Sequence, residues 1–359
     1  MSGIKIRDDF IIIFLVVLVA LFGLITLYSI SANLFYSQLG NFILGGVLFF
    51  LFSKIDYKIL TSFGWLYYIG MILVLVGLLV FGELTRGSTR WFELGFFRFQ
   101  PSEIFKPFFI LFVTNFVINT TKVRKGISLV ILLLSLPIVF LIFEQPDLGN
   151  AVLYFLMLCF VLVASGVTIR RALVMFFFSL FLVPIFWLYL ADYQKNRVLT
   201  FMNPDLDPAG TGYNAIQSII AVGSGQLLGK GVGYGTQSHL HFLPEHHTDF
   251  IFAAFGEEFG FLGGIIFLGI YFMLLLYLLL RVSKVKDKEG QVIVYGVFGM
   301  ILIQAVVNIG MNVGLLPITG VTLPLVSYGG SSIISVLVSL GIVANILKNA
   351  DDREFLEIH

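Results

Sequence analysis

Residues 10–30 read FIIIFLVVLVALFGLITLYSI, without one charged side chain. A helix rising ~1.5 Å per residue needs about 20 such residues to cross the ~30 Å of bilayer hydrocarbon. Phe63 to Gly82 and Val292 to Leu315 are runs of the same kind. Outward from these runs, the 359-residue chain is 58% hydrophobic and 12% charged, with mean hydropathy +0.98, where a soluble domain carries about 25% charged residues. No soluble fold hides that much apolar surface, so the expected fold is an all-α, polytopic integral membrane protein. Lys5 and Arg7 precede the first run, but it exceeds the roughly 7–15 apolar residues of a secretory signal and lacks a small-x-small cleavage site, so it reads as a retained span. The single cysteine, Cys159, lies in an apolar run, which argues against a disulfide framework or a thiolate metal site. A net charge of +1 gives no reason to expect nucleic acid.

The length criterion places about ten spans, near 10–30, 38–53, 63–82, 101–120, 127–143, 149–166, 172–191, 250–280, 291–315 and 327–348. Alternate connections hold Lys54 and Lys58, then Lys122, Arg124 and Lys125, then Arg170 and Arg171, then Arg281, Lys284, Lys286 and Lys288. The positive-inside rule makes these, and both termini, cytoplasmic. The other connections mix acidic and basic residues, and the longest, 192–249, exceeds the ~12–15 residues usual for a structureless loop. The chain is thus expected to form one membrane domain, 1–359, with an extracytoplasmic loop at 192–249. Ile216, Ile219, Ile220 and Leu227 recur there at helical spacing, as in an amphipathic helix lying in the interface or packed on the bundle.

An Asp at a helix centre costs ~2.5–3.5 kcal/mol on insertion scales, so an ionisable residue in or at the edge of a span is a functional candidate by default, and Glu103, Lys106, Asp147, Asp249, Glu257 and Glu258 qualify. Glu103 follows Pro101 near the start of the fourth span, where a carboxylate suits the free N–H groups, and Lys106 shares its face three residues on. Asp249 stands where the polar run Glu245-His246-His247-Thr248 turns into an apolar helix. It serves there as a helix cap or as a base. Glu257 and Glu258, two turns further along, read as structural, as do Asn308 and Asn312 at i,i+4 on the ninth span. His239, His241, His246 and His247 crowd one stretch without a His-x3-His pair, so no resident metal site is expected.

Taken in order along nearly the whole chain, a set of motifs resembles the SEDS family (shape, elongation, division and sporulation) of bacterial peptidoglycan glycosyltransferases. The motifs include Arg90-Trp91, Gln100-Pro101-Ser102-Glu103 with Lys106, Gln145-Pro146-Asp147-Leu148-Gly149, Gln217-Ser218 and Gly229-Lys230-Gly231. Further on come Leu243-Pro244-Glu245 leading into His247-Thr248-Asp249-Phe250, Pro317-Ile318-Thr319-Gly320, and Ser327-Tyr328-Gly329-Gly330-Ser331-Ser332. Gly235-Thr236-Gln237-Ser238 is more similar to the elongation branch than to the division branch. Gln145, where many relatives carry glutamate, is a small departure.

The resemblance implies polymerisation of lipid II at the outer leaflet, in the bacterial cytoplasmic membrane, beside a class B penicillin-binding protein and the elongation machinery. Asp249 matches the family's essential aspartate and is the expected catalytic base. The diphosphate leaving group is already a good anion and calls for cations rather than a second, proton-donating carboxylate. Arg90, Lys106, Arg197 and Lys230 are nominated for that role, with Glu103, Gln217 and Ser218 as further substrate contacts. A divalent cation, Mg2+ or Mn2+, on the substrate phosphates is left open. The alternatives are a lipid II flippase, which predicts a polar path through the whole bilayer, and a non-catalytic scaffold.

Overall fold

A computed structural model describes residues 8–82, 90–93, 98–120, 127–168, 192–203, 211–239, 242–243 and 245–358, with isolated positions between 170 and 190. Its helices are α1 (Asp8–Ile30), α2 (Ala32–Lys54), α3 (Tyr57–Ser62), α4 (Gly64–Phe81), α5 (Pro101–Ile104), α6 (Lys106–Thr120), α7 (Ile127–Glu144) and α8 (Leu148–Ala164). They continue with α9 (Asp192–Met202), α10 (Thr211–Ser224), α11 (Thr236–His239), α12 (Ile251–Val282), α13 (Lys288–Asn312) and α14 (Gly330–Ile358). A short antiparallel ribbon, β1 (Phe92–Glu93) with β2 (Arg98–Phe99), pairs Phe92 with Phe99 and Glu93 with Arg98.

Among the described residues, α1, α2, α4, α12, α13 and α14 are long and apolar enough to cross a membrane, and α6, α7 and α8 are shorter apolar helices. These fill the expected spans except the seventh, 172–191, which lies almost wholly outside the described residues, as do Lys122, Arg124, Lys125 and Arg171. The solvent explains the helix surfaces. On α4, Met71, Leu75 and Leu78 are buried against the bundle, while Leu66, Leu73 and Val80, seven apart, are exposed. Both faces are apolar because both neighbours, protein and lipid, are apolar. Burial is deepest along α14, which packs on α2 and also meets α1, α6 and α13.

Two expected spans are broken. Residues 101–120 divide at Phe105, because Pro107 has no N–H to give the Glu103 carbonyl and its ring crowds that turn. The second break lies inside α12 at Gly260, whose φ of 66° and ψ of −165° are non-helical. In an unbroken helix the Phe261 and Leu262 amides would donate to the carbonyls of Glu257 and Glu258. Here they donate to Gln226 (2.8 Å) and Leu227 (3.0 Å), while the Glu257 and Glu258 carbonyls accept from the amides of Lys230 (3.0 Å) and Gly231 (3.0 Å). A loop is spliced into the helix with these backbone groups satisfied. Only glycine fits the crossing: a Cβ on Gly260 would lie 2.2 Å from the Gly229 amide nitrogen, and one on Gly229 would lie 2.1 Å from the Glu258 carbonyl.

The splice changes the reading of the eighth span. Phe261 to Val282 alone extends about 33 Å, enough to cross the hydrocarbon. Ile251 to Glu258 are all buried inside the protein, so this half-helix is an additional element rather than part of the crossing. At the opposite end of the bundle, the Tyr57 amide donates to Asn345 Oδ1 (3.1 Å) and its hydroxyl to Asp287 Oδ2 (2.7 Å), which gathers α3, the α12–α13 turn and α14. Lys54, Lys58, Lys284, Lys286 and Lys288 lie on the segments that meet there.

Candidate active site

Asp249 lies on a tight turn immediately before the buried half-helix. The Glu245 carbonyl accepts from the amides of Thr248 (3.1 Å), Asp249 (3.1 Å) and Phe250 (3.2 Å). Asn308 and Asn312 each donate from Nδ2 to the Asp249 carbonyl, both at 3.0 Å, and Asn312 Oδ1 accepts from the Ala253 amide at 3.0 Å. The two asparagines therefore hold Asp249 by its backbone and cap the half-helix, while its carboxylate faces the cleft. Ser218, fully buried, donates to the Asn312 carbonyl (2.8 Å) and steadies that arrangement. The loop before α14 closes the other side, with the Ser327 hydroxyl donating to the Thr248 carbonyl (2.7 Å) and the Tyr328 amide to the His247 carbonyl (2.9 Å).

These segments enclose a cleft of about 310 Å³ lined by Asp249, Glu245, Thr248, Arg90, Trp91, Arg197, Gln100 and Glu103. Gly320, Thr322, Tyr328, Gly329, Ser331 and Ser332 complete the wall. The volume falls at the small end of the range for ligand sites. Burial pushes the Asp249 carboxyl up to about 6; the Arg197 charge pulls it down, Glu245 pushes it up, and Arg90 and the Thr248 side chain pull it down. A carboxylate in that range is ionised at neutral pH yet basic enough to take a proton.

Arg90 is oriented by Asp147, whose Oδ1 lies 4.0 Å from Nη1, and by the Pro146 carbonyl, to which Nη2 donates. Asp147 in turn caps α8 at the Asn150 amide (3.3 Å) and accepts from Gln100 Nε2 (3.3 Å). Arg197 reaches the cleft from α9. Glu103 lines it from α5, and behind it Lys106, 1% exposed, donates from Nζ to Glu103 Oε1 at 2.6 Å. Removing one partner of such a pair strands the other charge. Glu103 Oε2 is buried with no hydrogen-bond partner among the described residues.

The structure thus brings Asp249, Arg90, Arg197 and Glu103 to one cleft and places Lys106 one layer back. Lys230, Gln217 and Ser218 do not line it. Lys230 Nζ lies 2.8 Å from Glu257 Oε1 and 2.9 Å from Thr236 Oγ1, and Glu257 also accepts from the Gln237 amide at 3.1 Å. Glu258 Oε1 accepts from the Ser29 hydroxyl at 2.5 Å and the Gly233 amide at 3.2 Å. Both glutamates therefore belong to the splice. Sequence reasoning marked Asp147 as a candidate at the edge of the sixth span but did not single out Glu245, Thr248 or the hydroxyls of Thr322, Tyr328, Ser331 and Ser332 as site residues. Their signal was position in polar runs at span ends. No three His, Cys, Asp or Glu side chains converge as a metal site among the described residues.

Fold and site define a polytopic α-helical membrane protein with a half-buried carboxylate, Asp249, and two arginines in a cleft at one end of the bundle. The chain belongs to the FtsW/RodA/SpoVE family, whose model, described as "Cell cycle protein", matches residues 9–352; this is the family expected from the motifs. It is 40% identical over 314 residues to "Peptidoglycan glycosyltransferase MrdB" of Escherichia coli (strain K12), covering 86% of this chain and 84% of that one. A solved structure described as "Structural coordination of polymerization and crosslinking by a peptidoglycan synthase complex" is 32% identical, with TM-score 0.81, covering 95% of this chain and 98% of that one. The rod shape determining protein RodA of Thermus thermophilus is 28% identical, with TM-score 0.72, covering 94% of this chain and 96% of that one.

Proposed function

We propose that this chain is a peptidoglycan glycosyltransferase that joins lipid II units into glycan strands during cell elongation, with Asp249 as the base. The observation that supports this reading is one cleft that gathers the Asp249 carboxylate, which burial raises to about 6, with Arg197 and Arg90. The acceptor hydroxyl gives its proton to an Asp249 carboxylate oxygen and its oxygen attacks the donor sugar's anomeric carbon. The bond from that carbon to the diphosphate breaks with inversion, and the diphosphate departs as an anion against the guanidinium groups. Glu103 Oε2, lacking a partner, is suited to accept a substrate hydroxyl, with Lys106 fixing its other oxygen. Carboxylate oxygens are hard donors of the kind Mg2+ or Mn2+ takes, and Asp249, Glu245 and Glu103 line the cleft where such an ion on the substrate phosphates would meet them.

The basic residues gathered at the end opposite the cleft support a cytoplasmic location for that end and both termini, with the cleft outside. A class B penicillin-binding protein is the expected partner, in keeping with the synthase complex to which this chain is structurally similar. The test is purified protein with labelled lipid II, with and without that partner, comparing wild type with Asp249→Asn. Glycan ladders from wild type alone support the reading. Equal polymerisation by the variant removes Asp249 as the base, and lipid II crossing vesicle membranes without polymerisation replaces the enzyme with a transporter.

A further inference from the structure

The Asp249 turn contains a residue that its backbone does not call for. Glu245 has φ of 52°, the left-handed region where glycine or asparagine sits with less strain. Its carbonyl gathers three successive amides, including that of Asp249, and its Oε2 accepts from the Thr248 hydroxyl at 3.4 Å. Its side chain lines the same cleft as Asp249. A turn needing only the carbonyl would be built at lower cost with asparagine, so the carboxylate itself calls for an explanation.

We propose that Glu245 is the positioning residue of this base, building the Asp249 turn with its backbone and setting a second negative charge in the cleft that holds the Asp249 carboxylate. The inference rests on the reading of Asp249 as base. Charged and titratable groups reach the cleft from every side: Arg197 from α9, Arg90 from the segment before β1, Glu103 backed by Lys106 from α5 and α6, and Tyr328 from the loop before α14. Within the turn, His246 Nδ1 contacts the Leu243 carbonyl (2.8 Å) and the His247 ring packs on Tyr328. Arg197 is the largest charge opposing Glu245 at Asp249. The two act in opposite directions: a like charge makes a carboxylate hold its proton more tightly, and an opposite charge makes it release the proton. Burial is the main cause that keeps Asp249 basic, and Glu245 adds to it against the arginines that the diphosphate requires.

The test is the pH dependence of polymerisation by the full chain with its transpeptidase partner. Glu245→Gln keeps the shape and the Thr248 acceptor but removes the charge. It should move the acid limb of the rate profile down by about half a pH unit or more, while Arg197→Gln moves it up. Glu245→Asn removes the same charge in a residue suited to the left-handed turn, so it must move the limb down even if the glutamine variant folds poorly. A limb that stays in place or rises in both Glu245 variants overturns the proposal. An infrared carboxyl titration of wild type minus Asp249→Asn reads the Asp249 proton without substrate. If that titration moves with Glu245 while Asp249→Asn still polymerises, the base reading fails and the coupling survives.

Discussion

The two halves of α12 have similar apolar composition and opposite surroundings. Ile251 to Glu258 are buried inside the protein and carry two glutamates, whereas Phe261, Leu262, Ile265, Ile266 and Phe272 beyond the break are exposed along an apolar face suited to lipid. The first half begins at the base and ends in the splice; the second crosses the hydrocarbon. Catalysis and membrane crossing are thereby assigned to different stretches of one apolar run. The half that carries the base is fastened at both ends, by Asn308 and Asn312 at its start and by the loop at Gly260. Substitutions in the first half should therefore matter to rate or stability, and those on the exposed face of the second half should matter little, since only Phe267, Tyr271, Leu274, Leu275, Leu278 and Val282 of that half are buried in the core.

The largest effect is expected at the start of the first half. Asp249→Asn should lower the polymerisation rate by roughly 10²–10⁴-fold, the usual contribution of a general base, with an unchanged melting temperature because the asparagines hold the backbone carbonyl. A large fall in melting temperature would show that the carboxylate holds the fold. Next is the break itself. Gly260→Ala forces a Cβ into the Gly229 amide at a φ that alanine avoids, a combination expected to cost about 2–4 kcal/mol and most of the activity. A melting temperature within a degree of wild type would mean that the two halves can be rejoined.

Much of this division was hidden in the sequence. The spans were legible because lipid accepts only apolar surface, and α4 shows two apolar faces for that reason. Asp249 was legible as a candidate because a carboxylate between a polar run and an apolar helix is costly without a purpose, but cap and base stayed open until the family motif pointed to a base; Arg90 and Arg197 share its cleft. The break was not legible, since Gly256, Gly260, Gly263, Gly264 and Gly269 look alike in the sequence and the loop that caps the broken ends lies some thirty residues upstream. Lys230 reads as a free cation only until Glu257, 27 positions away, is seen beside it. Lys106 was read correctly as paired with Glu103, but its depth behind that residue depends on the tertiary fold.

Lys230 offers a finer test of the comparison. Lys230→Met leaves the fully buried Glu257 carboxylate without its cation. Because Lys230 is itself partly exposed, the cost should be about 1–2 kcal/mol, below the ~3–5 kcal/mol of a wholly buried pair. The expected signature is a lower melting temperature with KM for lipid II unchanged. A raised KM at wild-type stability would instead make Lys230 a phosphate contact.

The smallest effect tests the other half. Gly264 lies four residues beyond Gly260, and a Cβ added there meets nothing within 4 Å. Gly264→Ala removes backbone freedom from a helical position without creating a clash, so stability should rise by about 0.5–1 kcal/mol or stay level, with polymerisation unchanged. The contrast with Gly260→Ala separates backbone need from composition, because the two glycines sit one turn apart in the same apolar run. If Gly264→Ala lowers activity while the purified chain stays stable, that face does not meet lipid alone and a protein partner packs there, which thermal unfolding with and without the transpeptidase would reveal.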